Sequence, residues 1–542
     1  MRLPILLVAT SAVVLAASCG GEHTADRGGT IVVAAFADPD NLLPPLSRTL
    51  AAKAVTDLLF DPLAAIGSAL NTVGDAGFEP RLAKSWDWSR DSLRITFHLD
   101  PRARWHDGTP VRASDVRFAF ALYTDPRVTA NGGTDLRDAL DSLTADDSVT
   151  CTAWFHRRAP EQFFTLVTTL VPLPEHLLAT VSRDSIRQAP FGRQPVGDGP
   201  FRFVRWDAKV RLEIAAVDSF YRGRAKPDRV IWSIAPEMQT ATQKLFAGEA
   251  DFLEALTPPA AAEAARHPAV RVQAYSSFDY GFLRFNLHNG AGTKPHPLFG
   301  DRTLRRALTQ AIDRRLLVHS VFDTLAHVAL GPFVRAQWTS DSTISEIPFD
   351  RAAAARTLDS LGWRTGPDSI RAKNGRRLEF TLLRPSSSKS RELAAVLIQE
   401  QLRQVGVKVN IEPVDFSAFM AHANTRDFDA IMDGLHTSPS PAGIRESWST
   451  AGIAKGNGPN YGDYSNPHFD AEVDSAASAT NPRAAKAHYR AAYQIIADDA
   501  PAIWLFEPEA VAGFSARLQP GALRADGWWL TLPAWSVGGG AH

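Results

Sequence analysis

Cysteine and an excess of charge of either sign are what this 542-residue sequence most clearly lacks. It has two cysteines, Cys19 and Cys151, and its 58 lysine and arginine residues nearly balance 59 aspartate and glutamate residues. The balance argues against binding of nucleic acid or of an anionic membrane surface, since both require a basic surface. Internal repeats and long low-complexity tracts are also lacking. With 45% hydrophobic and 22% charged residues, the composition is that of a folded protein of two to four domains.

The N-terminus has the pattern of a targeting signal. Arg2 precedes an apolar run, 3–14, that is too short to span a bilayer comfortably, and no other segment approaches transmembrane length. The run continues as Leu15-Ala16-Ala17-Ser18-Cys19-Gly20. Small residues before a cysteine resemble a bacterial lipobox, although Ala16 stands where leucine is commonest. The resemblance implies a signal peptide over 1–19 and lipidation of Cys19, and the alternative is a plain secretory signal with an incidental cysteine.

Two expectations follow from an acylated Cys19. Cys151 would then have no partner, so we expect no intrachain disulfide, even in an oxidising compartment, and a small buried thiol instead. Residues 20–29 carry no apolar pattern and are predicted to form a flexible tether between the lipid and the folded body.

Predicted strands and helices alternate along the rest of the chain. Thr30 to Phe36 is a continuous apolar run, typical of a strand covered on both faces. Asp301 begins a predicted helix whose apolar positions repeat at three-to-four spacing as far as Leu316. A strand at 378–383, a helix, and a strand at 407–411 form a βαβ unit, which predicts a parallel sheet in the second half.

The most informative stretch lies between residues 80 and 120. It contains Pro80-Arg81-Leu82-Ala83-Lys84-Ser85-Trp86, then Phe97-His98-Leu99, then a run from Ala103 to Val116. Within that run, His106-Asp107-Gly108-Thr109-Pro110 has the composition of a turn, and Ser114-Asp115 is suited to cap the apolar helix that follows. Nothing in the stretch is catalytic. Taken alone, it is also compatible with an ordinary strand–turn–helix connection.

This stretch resembles the signature of extracellular solute-binding proteins of the peptide/nickel family (family 5), the capture subunits of ABC importers. Other landmarks of the resemblance are the glycine- and proline-rich stretch 195–203, the helix that starts at Asp301, and Tyr464-Ser465-Asn466-Pro467. Together they extend from about residue 30 to residue 510, which is most of the chain.

The resemblance implies an α/β, periplasmic-binding-protein-like fold with two lobes, hinge crossings and an extra subdomain inserted in the first lobe. Carried over to this sequence, lobe 1 comprises 30–62, 195–278 and 500–538. The inserted subdomain is 63–194, and lobe 2 is 279–499.

The resemblance also implies where ligand-binding residues lie. The expected positions are the end of the first strand, the segment after the second crossing, a segment near residue 448, and an asparagine-containing loop. Packing or a turn is the alternative role for each. The candidates are Phe36, Asp38, Tyr280, Arg284, Trp448 with its neighbour Ser449, Asn460 and Tyr461.

One departure from the family pattern concerns the ligand. Peptide-binding members carry an aspartate, after a Phe-Asp-Ala strand, that pairs with the peptide's amino terminus. Here the strand 428–430 is followed by Thr437 and Ser438 at that place. A hydroxyl brings no charge to an ammonium group, which argues against ordinary oligopeptides. His436 is a candidate contact for a metal chelate, as nickel-binding members suggest, and a surface or core role is its alternative.

An enzyme is the competing class. Ser386 and Lys389 fit a Ser-x-x-Lys pattern, and 464–466 fits Tyr-x-Asn, but the third element of such hydrolases, a downstream Lys-Thr-Gly, is missing. Ser386 also lies in a polar loop rather than at a buried helix start. His98 and His106 are spaced poorly for a metal site. We therefore expect no catalysis and no cofactor.

The expected function is a lipid-anchored, extracytoplasmic substrate-binding component of an ABC importer. It would bind a small polar or peptide-like solute between its lobes as a monomer, and deliver it to a permease that works with an ATPase. The anchor would hold it at a bacterial membrane, in the periplasm or at the cell surface. A non-transport ligand carrier on the same scaffold is a further alternative.

Overall fold

Three β-sheets of four or more strands organise the chain. The computed structural model describes residues 28–264, 266–289, 294–456 and 458–538. The predicted signal peptide, the predicted lipidation site Cys19 and most of the predicted tether lie outside these ranges. Within them, no helix is both long and apolar enough to cross a membrane. Cys151 is fully buried, as predicted.

Lobe 1 is built on a seven-stranded sheet. The first strand, Thr30–Ala35, is parallel to both of its neighbours, and its apolar sequence fits this central position. Three helices belong to this lobe: Leu50–Leu59, Met238–Phe246 and Pro258–Ala264. The strands in spatial order are Val270–Tyr275, Ala510–Ser515, Phe252–Leu253, Thr30–Ala35, Arg229–Ile234, Arg211–Ala216 and Phe201–Asp207.

The inserted subdomain has an antiparallel four-stranded sheet and a short hairpin, Ala64–Ile66 with Phe78–Pro80. Most of its buried apolar side chains join lobe 1 side chains such as Ile31 and Val33 in one continuous hydrophobic cluster, and a second lobe 1 cluster is separate. The sheet order is Ala83–Trp88, Arg94–Leu99, Thr150–Phe155 and Leu140–Ala145, and the helices are Ala113–Thr124, Gly133–Ala139, Gln162–Thr169 and Glu175–Leu178.

Lobe 2 has a six-stranded mixed sheet with a hydrophobic cluster on each face. The predicted βαβ unit is confirmed, since Glu379–Pro385 and Lys408–Val414 pair in parallel around Lys389–Arg403. The strand order is Ala326–His327, Ala502–Pro508, Asp279–Phe285, Ala430–His436, Glu379–Pro385 and Lys408–Val414. The other helices are Arg302–Gln310, Arg314–Phe322, Arg351–Ser360, Phe416–Thr425, Ile444–Trp448, Pro467–Ser478 and Pro482–Asp499.

Small sheets and 3-10 turns complete the fold. The small sheets are Arg364–Thr365 with Arg371–Lys373 and Arg376–Arg377, and Leu518–Gln519 with Ser536–Val537. The 3-10 turns are Pro44–Leu46, Ile186–Gln188, Pro190–Gly192, Pro441–Gly443, Thr450–Gly456 and Trp528–Ala534.

The single helix predicted from Asp301 to Leu316 is wrong, because the structure has two helices there, Arg302–Gln310 and Arg314–Phe322. The carboxylate of Asp313 accepts a hydrogen bond from the backbone N–H of Leu316 and caps the second helix. Apolar periodicity continues through the break, so it does not reveal the cap.

Two neighbouring segments connect the lobes. Val270–Tyr275 of lobe 1 leads into Asp279–Phe285 of lobe 2, and Ala502–Pro508 of lobe 2 leads back into Ala510–Ser515 of lobe 1. The Ser277 hydroxyl donates a hydrogen bond of 2.6 Å to the carbonyl of Pro508, which ties the segments together. The predicted start of the last lobe 1 segment at residue 500 is therefore too early, because Ala502–Pro508 pairs within the lobe 2 sheet. The other boundaries remain our proposal.

The signature turn connects the inserted subdomain to lobe 1. The N–H of Trp105 donates to the carbonyl of Thr109, the N–H of Gly108 donates to the carbonyl of Trp105, and Gly108 has a φ of 92°. The neutral imidazole of His106 uses both ring nitrogens: Nδ1 accepts from the N–H of Gly197 at 3.2 Å, and Nε2 lies 3.1 Å from the carbonyl of Gly199. His106 thus fixes residues 197–199, where the chain returns from the inserted subdomain to lobe 1.

Candidate functional site

The candidate site lies where the two large sheets face each other across the crossing segments. In lobe 1, the strands Thr30–Ala35 and Arg229–Ile234 end at the edge nearest the crossings. In lobe 2, Ala430–His436 and Glu379–Pro385 end at the edge where Asp279–Phe285 begins. Open α/β sheets bind ligands outside the carboxyl ends of their strands, so the space between these two edges is the expected binding position.

The two lobe 1 candidates follow the end of the first strand. Phe36 is half-buried against the lobe 1 core. Asp38 accepts hydrogen bonds from the indole N–H of Trp206 at 2.8 Å and from the backbone N–H of Lys209 at 2.9 Å. Both carboxylate oxygens are therefore engaged by lobe 1 itself, which gives Asp38 a role in fixing the loop that presents Phe36.

Four of the lobe 2 candidates come together in one cluster. The guanidinium of Arg284 lies 4.2 Å from the ring centroid of Trp448 and 5.6 Å from that of Tyr461. The indole N–H of Trp448 donates to the hydroxyl of Tyr280 at 3.2 Å. We name Tyr280, Arg284, Trp448 and Tyr461 the aromatic–arginine cluster. In the sequence, Tyr280 and Arg284 lie more than 160 positions before Trp448 and Tyr461, and the fold assembles the four residues in one place.

Arg284 is the polar centre of this cluster. Its Nε donates to the carboxylate of Asp433 at 3.2 Å, and its side chain is completely buried. Burial lowers the pKa of Arg284, and Asp433 opposes that shift. Its Nη2 has no hydrogen-bond partner among the described residues. Tyr280, Arg284 and Trp448 are buried, and Tyr461 is half-buried, so Tyr461 is the member of the cluster that a solute could reach in this arrangement.

Two further candidates have contacts that fix loops. Asn460 is fully buried, and its amide N–H groups donate to the carbonyls of Ser449 at 3.0 Å and Tyr464 at 2.8 Å. Its side-chain oxygen accepts from the N–H of Tyr464 at 3.2 Å. These bonds use every hydrogen-bonding group of the amide except one lone pair, so Asn460 holds the loop that carries Tyr461.

His436 and Ser438 lie at the cleft edge of lobe 2. The Nδ1 of His436 lies 3.0 Å from the carboxylate of Asp279, and that hydrogen bond raises the pKa of His436. Two-thirds of the His436 side chain is exposed. The Ser438 hydroxyl donates to the carbonyl of Ser440, and the carbonyl of Ser438 accepts from Gln337 at 2.9 Å.

Arg391 is a candidate that sequence reasoning missed. It lies in the first turn of Lys389–Arg403, and its guanidinium packs against Gly434, where a Cβ atom would lie 2.5 Å from Nη2. Gly434 pairs with Gly281 across the strands, so this part of the sheet has no side chains of its own. Burial lowers the pKa of Arg391, and Asp433 and Asp279 oppose the shift. In the described ranges its guanidinium has no hydrogen bond or ion pair. Only the pairing of distant strands reveals this position.

Ser386 and Lys389, the residues that the hydrolase hypothesis requires, do not form a hydrogen-bonded nucleophile–base pair. Lys389 is exposed, and its ammonium pairs with Glu392 at 2.7 Å, while Ser386 lies exposed beyond the end of a strand. A paired, solvated ammonium is a poor general base. Among the residues that the structure describes, no group of three or more His, Cys, Asp or Glu side chains is placed to hold a metal ion.

Comparison with known proteins agrees with this architecture. Residues 77–455 match the family "Bacterial extracellular solute-binding proteins, family 5 Middle". The chain is 26% identical over 518 residues to the oligopeptide-binding protein AppA of Bacillus subtilis, a match that covers 93% of this chain and 92% of that protein. It is 24% identical over 469 residues to heme-binding protein A of Haemophilus influenzae, covering 82% of each.

Solved structures show the same fold. AppA from Bacillus subtilis in complex with a nonapeptide superposes with a TM-score of 0.71 at 25% identity, covering 94% of this chain and 99% of that one. CtaP from Listeria monocytogenes gives 0.81 at 22% identity, covering 95% and 100%. NikZ from Campylobacter jejuni in complex with Ni(L-His) gives 0.73 at 22% identity, covering 94% and 99%. The predicted two-lobe α/β fold is confirmed, and this chain belongs to the bacterial extracellular solute-binding proteins of family 5.

Proposed function

We propose that this protein is the lipid-anchored solute-binding component of an ABC importer. It captures a small peptide-like or polar solute between its lobes and delivers it to a permease. The observation that carries the proposal is the pair of facing sheet edges joined by two adjacent crossing segments, in a chain of this family. Cys19 is the proposed lipid attachment point, and the folded body would then act outside the cytoplasm at a bacterial membrane.

The crossings explain how such a protein would work. Both connections are short and lie side by side, so a small change of backbone angles in residues 275–279 and 508–510 would move one lobe relative to the other. Closure would remove water from the cleft and strengthen each polar contact with the solute. A micromolar affinity requires only about 8 kcal/mol of net binding free energy, which a few hydrogen bonds and a stacked ring can provide.

The class of solute is argued from the side chains at the lobe 2 edge. Relatives of this chain are named for an oligopeptide, for heme and for a nickel–histidine complex, so family membership alone leaves the solute open. Ser438 offers no charge to an ammonium group, whereas Arg391 offers a guanidinium that has no hydrogen bond or ion pair among the described residues, although Asp433 and Asp279 are close enough to act on its charge. We infer a solute with an acceptor or anionic group that lies against Arg391, with His436 and Phe36 as neighbouring contacts.

Native mass spectrometry of the purified protein tests the proposal. We expect a small molecule that leaves on denaturation and returns unchanged on refolding with the released fraction. At one hundred times its dissociation constant, that molecule should add about 2.7 kcal/mol to the free energy of unfolding. Arg391→Gln should weaken its binding at least tenfold, and Arg356→Gln, an exposed lobe 2 arginine outside the cleft edge, should not.

Chemical change of the solute would contradict the proposal. If the protein consumes the molecule and Ser386→Ala prevents this, the chain is a hydrolase. If the molecule binds reversibly but its uptake by cells does not depend on this protein, the scaffold serves as a ligand carrier without transport.

A further inference from the structure

The loop between the two strands of the small hairpin extends from the inserted subdomain into lobe 2. The loop spans residues 67–77, and Leu70 at its tip is 93% buried within the aromatic cluster of lobe 2 that contains Phe278 and Tyr280. Leu70 adopts a φ of 52°, a left-handed conformation that leucine rarely takes. A leucine held in this conformation inside a neighbouring lobe indicates that the surrounding contacts determine the shape of the loop.

The loop is rigid before it reaches lobe 2. The side chain of Asn71 bonds to both the N–H and the carbonyl of Val73, and the N–H of Gly74 donates to Pro160 at 2.9 Å. Asp75 accepts hydrogen bonds from two indole N–H groups, Trp86 at 2.8 Å and Trp88 at 3.0 Å. The inserted subdomain therefore presents the loop as a preformed element.

Glu161 is the polar link between the two parts. Its carboxylate accepts one hydrogen bond from Thr72 in the loop and another, of 2.7 Å, from the hydroxyl of Ser440 in lobe 2. The indole N–H of Trp338, also in lobe 2, donates to the hydroxyl of Thr72 at 3.1 Å. Thr72 is fully buried. Loss of either hydroxyl would leave a largely buried acceptor without one of its donors.

The lobe 2 side of this link belongs to the loop that carries Ser438. The hydroxyl of Ser438 donates to the carbonyl of Ser440, and the N–H of Thr437 donates to the carbonyl of Phe278. A solute that contacts Ser438 therefore touches the same turn that positions Ser440 for Glu161.

We propose that residues 67–77 form a latch, joined through Glu161 to Ser440, that holds the inserted subdomain against lobe 2 even without a solute. The inference rests on the proposed function only in requiring that the lobes separate. The latch adds a fixed set of contacts that favours closure, and the solute in the cleft supplies the remainder.

The distance between two spin labels, one on each side, tests the latch in the solute-free protein. Labels at Asp138→Cys in the inserted subdomain and Ala477→Cys in lobe 2 use exposed positions. A Cys19→Ser background leaves only the buried Cys151 as a native thiol. Double electron–electron resonance then reports the ratio of the closed to the open population.

We expect Ser440→Ala and Thr72→Val each to lower that ratio about tenfold, since each removes a hydrogen bond to a carboxylate. Ser360→Ala is the matched control, because that lobe 2 hydroxyl donates to the carbonyl of Thr357 within its own helix and to nothing else in the described part of the chain. Thermal melting of every variant separates loss of the latch from loss of the fold.

An unchanged ratio in both latch variants would overturn the proposal, and so would a wild-type protein that is entirely open without solute. Mass spectrometry of a bound solute distinguishes these failures from failure of the proposed function. If the solute binds and the populations do not respond to Ser440→Ala, the binding function stands and the latch does not.

Discussion

The imidazole of His106 should make the protein lose stability on acidification. Both ring nitrogens are engaged in the neutral form, and Nδ1 accepts a hydrogen bond that a protonated ring cannot accept. Burial lowers the pKa of His106 from 6.5 to about 4. The folded state therefore binds fewer protons than the unfolded chain between these two values. The stabilisation is complete above pH 6.5 and is lost as the pH falls towards 4.

The magnitude follows from the two pKa values. Between pH 7.5 and pH 4.5, protonation of the unfolded chain at this one position should reduce the free energy of unfolding by about 2.5 kcal/mol. Carboxylates contribute their own pH dependence. One of them is Asp198, which lies between the two glycines that His106 contacts, and burial raises the pKa of Asp198. Only a comparison with a variant that cannot be protonated at position 106 isolates the effect.

Urea unfolding measures the contribution of His106 to the pH dependence of stability. Wild type and His106→Gln are compared at pH 7.5 and pH 4.5, with unfolding monitored by tryptophan fluorescence and circular dichroism. The variant should be less stable at pH 7.5, where its amide fits the two backbone groups imperfectly, and should lose about 2.5 kcal/mol less than wild type on acidification. His98→Gln, at a surface histidine paired with Asp87, is the control. If wild type and His106→Gln lose stability in parallel, the argument from the neutral ring is wrong.

Two other predictions concern single positions in the two lobes. Gly197→Ala should destabilise the protein by more than about 2 kcal/mol, because its Cβ would lie 1.9 Å from the carbonyl oxygen of Leu59; Gly443→Ala, with open space around the added methyl group, should be neutral in the same thermal melts. Arg284→Ala should cost about 3–5 kcal/mol by leaving Asp433 buried and unpaired, whereas Arg356→Ala on the surface should change urea stability by less than about 0.5 kcal/mol. Equal stability of Arg284→Ala and wild type would show that Arg284 serves the solute rather than the fold.

Much of the architecture can be predicted from the sequence because it depends on local sequence patterns. The first strand, the βαβ unit and the glycine-rich return at 197–199 each carry a pattern of their own, and the signature stretch identifies the family. The sequence does not place the crossing near residue 509 correctly, because Ala502–Pro508 begins with a continuous apolar run, and such a run does not reveal which sheet it joins. The break at 311–313 was missed because the apolar spacing continues through it.

The site was less accessible to sequence reasoning because its contacts join distant parts of the chain. The sequence predicts Tyr280, Arg284, Trp448 and Tyr461 as separate candidates, and only the folded lobe 2 brings them together. The guanidinium of Arg391 has space only because Gly434, on a strand nearby, has no side chain. The Trp338–Thr72 bond joins positions 266 apart. Neither hydrophobic periodicity nor a short motif predicts contacts between residues so far apart in the chain.

The order of the strands also governs when the molecule is able to fold. Ala510–Ser515 lies between two strands made more than two hundred residues earlier, and Ala502–Pro508 occupies the matching interior place in the other sheet. Neither sheet is complete until residues 502–515 have emerged from the ribosome. Until then each core lacks an interior strand, so both large sheets are finished late and at nearly the same time.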